Sequence, residues 1–111
     1  MERGRRRSYP RAEIEWPVSI SISKVLMERA TLNISPAGAF IFSRNPLNQY
    51  EIFDLIISSP DRHIKTKAEV VWSHSPYTSL GNMPHGMGVR FLKIQDSDLD
   101  YLAEMVSQYK K

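Results

Sequence analysis

Residues 14–22 read Ile-Glu-Trp-Pro-Val-Ser-Ile-Ser-Ile, in which large apolar side chains occupy every second position. Successive side chains of a β-strand point to opposite faces, so this period of two predicts a strand with one buried face. Pro17 has no amide hydrogen to donate, which places it at an edge or a bulge of the strand. The stretch indicates a protein built around a sheet.

The rest of the chain continues the same pattern and then changes its period. Turn residues separate five more predicted strands: residues 24–34, Ala37–Phe42, Tyr50–Ser58, Ile64–His74 and Gly88–Ile94. Residues 75–87 form the longest predicted loop. Residues 96–109 have helical periodicity, with one apolar face made of Leu99, Leu102, Ala103, Val106 and Tyr109. We predict an all-β dominated fold: a small six-stranded antiparallel β-barrel with a C-terminal α-helix and a flexible basic N-terminal arm.

Composition restricts the class of protein. The 111 residues include 41% apolar and 24% charged side chains, which is ordinary for one globular domain. The chain has no cysteine, which excludes disulfides, thiolate metal ligands and a cysteine nucleophile. No apolar run approaches the roughly 18 residues needed to span a bilayer. We therefore expect a cytoplasmic protein without membrane insertion.

Charge is concentrated at the N-terminus. Five arginines and one glutamate give residues 1–11 a net charge of +4, so the remaining hundred residues carry −1 of the chain's total of +3. This asymmetry predicts a flexible arginine-rich arm over residues 1–12 and a nearly neutral body over residues 13–111. An anionic partner would be met by the arm, although a solvated tail would have the same composition.

Two short motifs occur in order along the chain. The first is Arg6-Arg7-Ser8-Tyr9-Pro10-Arg11, and the second is Asn33-Ile34-Ser35-Pro36-Ala37-Gly38 at a predicted turn. Here the chain resembles the PilZ domain family, whose signature is Arg-x-x-x-Arg followed by Asp/Asn-x-Ser-x-x-Gly. The resemblance extends to Val70-Val71-Trp72, to Gly88-Val89-Arg90-Phe91 and to the closing helix. Either motif alone is common by chance, but their order, spacing and strand context are specific.

The resemblance implies a bacterial second-messenger receptor that binds cyclic di-GMP and relays the signal to a protein partner. Its implied ligand-binding residues are Arg6, Arg7, Arg11, Asn33, Ser35, Gly38, Trp72 and Arg90. Of these, Arg7 and Arg11 would be the main clamps and Arg6 a third contact. A guanidinium suits this ligand because it can pair with phosphate or guanine acceptors and can also stack on a purine.

The remaining implied residues have a structural alternative beside the functional one. Asn33 and Ser35 are two apart and would share a face, but they could simply form a turn. Gly38 would allow positive φ or the close approach of a purine. Trp72 either stacks on a guanine or packs in the core, and Arg90 either reaches the ligand or is solvated.

The sequence offers little for catalysis. The three histidines His63, His74 and His85 have no metal-ligand spacing, and Asp96, Asp98 and Asp100 lack the glycine and glutamate of a calcium loop. No serine lies in a recognisable nucleophile motif. We therefore predict no metal, no cofactor and no enzymatic activity.

Two other functions fit parts of the pattern. The protein could be an interaction adaptor of pilus or motility machinery that does not bind the ligand. It could also bind single-stranded nucleic acid with its basic arm, which the net charge of −1 on the body disfavours. The expected partners are cyclic di-GMP and an unidentified downstream protein, with the chain a monomer or a homodimer.

Overall fold

The computed structural model describes residues 11–74 and 85–109. Six strands and one helix follow each other along the chain: β1 (Pro17–Ile22), β2 (Val25–Ser35), β3 (Gly38–Phe42), β4 (Ile52–Ser58), β5 (His63–His74), β6 (Gly86–Phe91) and α1 (Asp96–Tyr109). The predicted number and order of strands and the terminal helix are confirmed. The observed β1 begins at Pro17 rather than Ile14, and β6 begins two residues before its predicted start at Gly88.

The six strands form a closed barrel in the order β1-β2-β3-β6-β5-β4, and every strand pair is antiparallel. The β3–β6 pair joins strands that are not consecutive in sequence, and the β1–β4 pair closes the barrel. The predicted small antiparallel barrel is therefore confirmed. Because β3 pairs with β6, the β2–β3 turn lies beside residues that come more than fifty positions later in the chain.

The core fills the inside of the barrel. Its fully buried side chains come from every strand and from the helix; the largest are Ile14, Ile20, Ile34, Ile41, Leu55, Ile57, Ile64, Met87 and Leu102. Inward residues alternate with outward ones along the strands, as the period of two in residues 14–22 predicts.

Ala12, Ile14 and Trp16 are buried although they precede β1. Ala12 pairs with Ile34 of β2, through backbone hydrogen bonds of 3.0 and 2.9 Å in the two directions. The Thr31 hydroxyl accepts a hydrogen bond from the Trp16 amide at 2.9 Å and donates one to the Ile14 carbonyl at 2.6 Å. The chain is thus bound to β2 from Ala12 onward. The prediction of a flexible arm stays a prediction for residues 1–10, which lie outside the described residues.

The helix packs on the barrel with a different face from the predicted one. Leu102 and Val106 are buried as expected, but Ala103 and Tyr109 are exposed. Tyr101 takes part instead: its ring stacks on Trp16 at 6.4 Å, and its hydroxyl donates a hydrogen bond to Ser59 at 2.9 Å. A helical period fixes the spacing of a face but not which neighbouring stripe contacts the sheet, and polar contacts to the β4–β5 turn select this one.

The Arg62 guanidinium adds to the attachment of the helix. It lies 4.5 Å from the centre of the Tyr101 ring and 3.0 Å from the carboxylate of Asp98.

No helix in the described part of the chain is long and apolar enough to cross a membrane.

Replacing Thr31 with valine should destabilise the fold. The isosteric side chain fills the same space but leaves the Trp16 amide and the Ile14 carbonyl buried without their partner, at a cost of about 1–3 kcal/mol. Urea unfolding measures the change, and Thr31→Ser, which keeps the hydroxyl, is the matched control. An unfolding midpoint of Thr31→Val equal to that of the wild type would contradict the assigned hydrogen bonds.

Candidate functional site

A row of four residues crosses the outer face of the barrel. Asn33 of β2 lies opposite Phe40 of β3, Phe40 lies opposite Gly88 of β6, and Gly88 lies opposite Trp72 of β5. Directly paired residues of neighbouring strands point to the same side of a sheet. Their sequence neighbours Ile34, Ala39 and Val89 are buried in the core, so the row faces outward.

Two β-bulges produce the ends of this row. The register shifts between Thr31 and Asn33 in β2 and between Val70 and Trp72 in β5. Strict alternation would place Asn33 on the same side as the buried Thr31, and Trp72 on the same side as the buried Val70. Each bulge inserts one extra residue and reverses the alternation, so both side chains point outward.

A second row lies two positions further along β2, β3 and β6, and three positions further along β5 because of its bulge. Ser35 is opposite Gly38, Gly38 is opposite Arg90, and Arg90 is opposite Glu69. Five predicted site residues therefore share one outer surface formed by β2, β3, β5 and β6: Asn33, Ser35, Gly38, Trp72 and Arg90. We call the two rows together the β3–β6 face; its members are Asn33, Phe40, Gly88, Trp72, Ser35, Gly38, Arg90 and Glu69.

Arg11 lies at the edge of this face. Its Nη1 donates a hydrogen bond of 2.6 Å to Oδ1 of Asn33. The pairing of Ala12 with Ile34 holds the backbone beside this contact. The last arginine of the first motif thus contacts the first residue of the second motif. Arg6 and Arg7 lie outside the described residues, and their roles stay predictions.

Ser35 is buried, and its hydroxyl is used inside the turn. The oxygen accepts hydrogen bonds from the amides of Ala37 at 3.2 Å and Gly38 at 3.3 Å. It also lies 3.4 Å from the Gly38 carbonyl oxygen, to which it donates. These bonds fix the β2–β3 turn. A contact between Ser35 and a ligand stays a prediction.

Gly38 is required by the neighbouring strand. A Cβ atom there would collide with the carbonyl oxygen of Val89 and lie 3.2 Å from the Cα atom of Arg90. The φ angle of Gly38 is outside the left-handed region, so the predicted positive φ is not the reason for the glycine. What approaches closely in this structure is the backbone of β6.

Trp72 lies on the outer face, with 39% of its surface exposed. Its ring stacks on Phe40 with a centroid distance of 5.1 Å and an interplanar angle of 16°. A Cβ atom on Gly88 would lie 2.7 Å from Cε2 of the indole, so the ring rests directly over this glycine. The indole is therefore a positioned platform on the barrel surface.

Arg90 forms an ion pair across the strands. Its Nε donates to Oε1 of Glu69 at 2.7 Å, and its Nη2 lies 2.6 Å from the same oxygen. The Arg90 side chain is 60% exposed, whereas that of Glu69 is only 19% exposed. Arg90 is thus outward, as predicted, but it is held by a carboxylate rather than solvated alone.

Three members of this face are missing from the sequence prediction. Phe40 and Gly88 carry a usable signal, since each is two residues from a predicted site residue and alternation would place them on the same side. Glu69 carries none, because its position opposite Arg90 depends on the β5–β6 register and on the bulge at Val71.

His63 and His74 lie at opposite ends of β5, and His85 lies near His74. His63 is within hydrogen-bonding distance of Ser58, while the buried His74 lies 5.9 Å from the ring of His85. Within residues 11–74 and 85–109, no group of three or more histidine, aspartate or glutamate side chains is placed to hold a metal ion.

The closed six-stranded antiparallel barrel and its terminal helix define a class of small β-barrel domains. The model of the PilZ domain matches residues 5–108, which is nearly the whole chain. The chain therefore belongs to the PilZ domain family.

Several solved structures share the fold. Inhibitor of motility (MotI/DgrA) from Bacillus subtilis superposes with a TM-score of 0.80 at 21% identity over 99% of this chain, which spans 52% of that protein. The PilZ domain of YcgR from Escherichia coli, solved with c-di-GMP, gives a TM-score of 0.72 at 13% identity, covering 96% of this chain and 92% of that one. No curated protein matches the sequence significantly.

Substituting Gly38 with alanine should destabilise the barrel. The new methyl group meets the backbone of β6, which can yield only if β3 and β6 separate, and such overpacking costs about 1–3 kcal/mol. Urea unfolding of Gly38→Ala measures the effect, with Ala37→Ser at the exposed neighbouring position as control. Equal midpoints for Gly38→Ala and the wild type would show that β6 does not approach this closely.

Proposed function

We propose that the chain is a receptor for cyclic di-GMP that binds the dinucleotide on the β3–β6 face and catalyses no reaction. The observation that carries the proposal is the hydrogen bond between Arg11 and Asn33, which joins the two halves of the family motif at one place. Membership of the PilZ family and the fold shared with a domain solved with this ligand support it.

The chemistry of the face fits the ligand. Cyclic di-GMP offers anionic phosphates, the flat faces of two guanines, and the neighbouring acceptors O6 and N7 on each base. Arg11 at the edge and Arg90 on the sheet supply guanidinium donors, and the exposed indole of Trp72 supplies a stacking surface. We infer that Arg6 and Arg7 add further guanidinium contacts from the arm.

Signal transfer would use the arm. Residues 1–11 contain five arginines and few large apolar side chains, so their positive charges repel each other. The ligand phosphates would neutralise this repulsion. We infer that ligand binding orders the arm over the β3–β6 face. The new surface of arm, dinucleotide and strands would then be read by a protein partner.

We infer that this chain, which shares its fold with a protein named inhibitor of motility, acts on a protein partner. An adaptor that needs no ligand is the alternative to a receptor. The two differ in one measurement, because only the receptor binds cyclic di-GMP directly.

Replacing Arg7 or Arg11 with alanine should weaken cyclic di-GMP binding about tenfold to a hundredfold. Each change removes hydrogen bonds from a charged donor, worth about 1.5–3 kcal/mol. Isothermal titration calorimetry measures the affinity, with Arg44→Ala as control. That variant removes the same charge beside an open depression at the far end of β3, where Arg29, Phe42 and Asn45 also lie.

The same titrations decide between the alternatives. Wild-type affinity in Arg11→Ala, or an equal loss in Arg44→Ala, would contradict the assignment of the clamp to the β3–β6 face. Failure of the wild type to bind cyclic di-GMP would favour the adaptor. Binding of a single-stranded oligonucleotide in preference to cyclic di-GMP would favour the nucleic-acid function.

Ordering of the arm predicts a change in backbone dynamics. Amide ¹⁵N relaxation is measured for residues 2–9 and 11–12. The residues before Arg11 should show fast motion without ligand and restricted motion with saturating cyclic di-GMP. Residues of α1 provide the internal control, because their relaxation should not change. An arm that is rigid without ligand, or still mobile at saturation, would contradict the relay.

A further inference from the structure

Glu69 faces the site without belonging to the family motif. Its Oε1 receives both Nε and Nη2 of Arg90, at 2.7 and 2.6 Å. Its side chain is 19% exposed, so the carboxylate is largely shielded from water, which otherwise weakens such a pair. Two donors on one oxygen fix the plane of the guanidinium as well as its position.

The pairing leaves a definite set of donors available. A guanidinium has five N–H groups, and Glu69 occupies the edge formed by Nε and Nη2. Both hydrogens of Nη1 and the second hydrogen of Nη2 remain. Of these, one hydrogen of Nη1 and the second hydrogen of Nη2 point the same way and form a second edge of the planar group, with the parallel donors that a bidentate contact requires.

This remaining edge distinguishes purines. Guanine presents two neighbouring acceptors, O6 and N7, which match two parallel donors. Adenine presents N7 as an acceptor but an amino group in place of O6, so one donor of the fork would face another donor. An arginine held in one plane can therefore select guanine, whereas a freely rotating one can avoid the mismatch.

The location of Arg90 gives it access to a base. It lies opposite Gly38, which has no side chain, and next to the row that contains Trp72. A purine stacked on the indole and extending along β6 would bring its edge toward the Arg90 guanidinium.

We propose that Glu69 is a positioning residue that holds Arg90 for the guanine edge and so makes the site select guanine over adenine. The inference rests on the proposed function, since it concerns the same face and ligand. Glu69 itself does not touch the ligand. It acts through the orientation of Arg90.

A neighbouring ion pair supplies the matched control. Lys67 and Asp54 pair across β4 and β5 at 2.7 Å, also on the outer face, but both side chains are more than half exposed. This pair has no contact with Arg90 among the bonds that the structure describes. Asp54→Asn therefore removes a cross-strand charge pair without altering the guanidinium of Arg90.

The test measures selectivity rather than affinity alone. Calorimetric dissociation constants are determined for cyclic di-GMP and for the mixed cyclic dinucleotide in which adenine replaces one guanine. Selectivity is the dissociation constant of the mixed dinucleotide divided by that of cyclic di-GMP. We expect Glu69→Ala and Arg90→Ala each to reduce this ratio by about fivefold or more, which is the discrimination that one bidentate pair provides. The double variant Glu69→Ala/Arg90→Ala should lose no more selectivity than Arg90→Ala alone.

Conservative and control variants complete the design. Glu69→Gln keeps an oxygen acceptor and should restore most of the selectivity, while Asp54→Asn should keep the wild-type ratio. Urea midpoints show that each variant is folded before it is titrated. A structural role for Glu69 would lower the midpoint without moving the ratio.

Several outcomes would overturn the inference. An unchanged ratio in Glu69→Ala, or tighter cyclic di-GMP binding from an Arg90 released by that change, would show that Glu69 does not position a guanine contact. If Arg11→Ala still weakened binding in that case, the proposed function would stand while this inference failed. A wild type that binds neither dinucleotide would overturn both.

Discussion

The pairing of β3 with β6 is the constraint on which the candidate site depends. It joins strands distant in sequence and brings the β2–β3 turn beside β6, which in turn pairs with β5. The pairing requires Gly38, because any Cβ atom there would meet the Val89 carbonyl. The β5–β6 pairing places Gly88 under the indole of Trp72, where a side chain would displace the ring. The same two glycines therefore serve the closure of the barrel and the shape of its surface.

The bulges in β2 and β5 have an equally direct effect on the site. Without them, Asn33 and Trp72 would point toward the core, and the outer row would lose both of its ends. The bulge in β2 also keeps Thr31 inside, where its hydroxyl binds the segment leading from Arg11 to β1. One irregularity thus holds the base of the arm and turns Asn33 toward it. This is a physical reason for the two motifs to meet where they do.

Much of the fold could be predicted from local patterns, and much of the site could not. Alternation in residues 14–22 and the change of period after Gln95 are local properties, and they predict strands and a terminal helix correctly. Alternation alone gives Trp72 the same orientation as Val70, and only the long-range register shows that the indole is outside. The partnership of Glu69 with Arg90 and the choice of Tyr101 for the helix interface are likewise set by tertiary contacts.

The central claim is that the β3–β6 face binds cyclic di-GMP, and a map of ligand-induced NMR shift changes tests it most directly. On titration, we predict saturable changes concentrated at Asn33, Gly38, Gly88 and Arg90, and at the indole Nε1–H of Trp72. The outer residues of β1 and β4, such as Ser19 and Ile56, should not change. Changes centred on β1 and β4, or no saturable change anywhere, would contradict the claim.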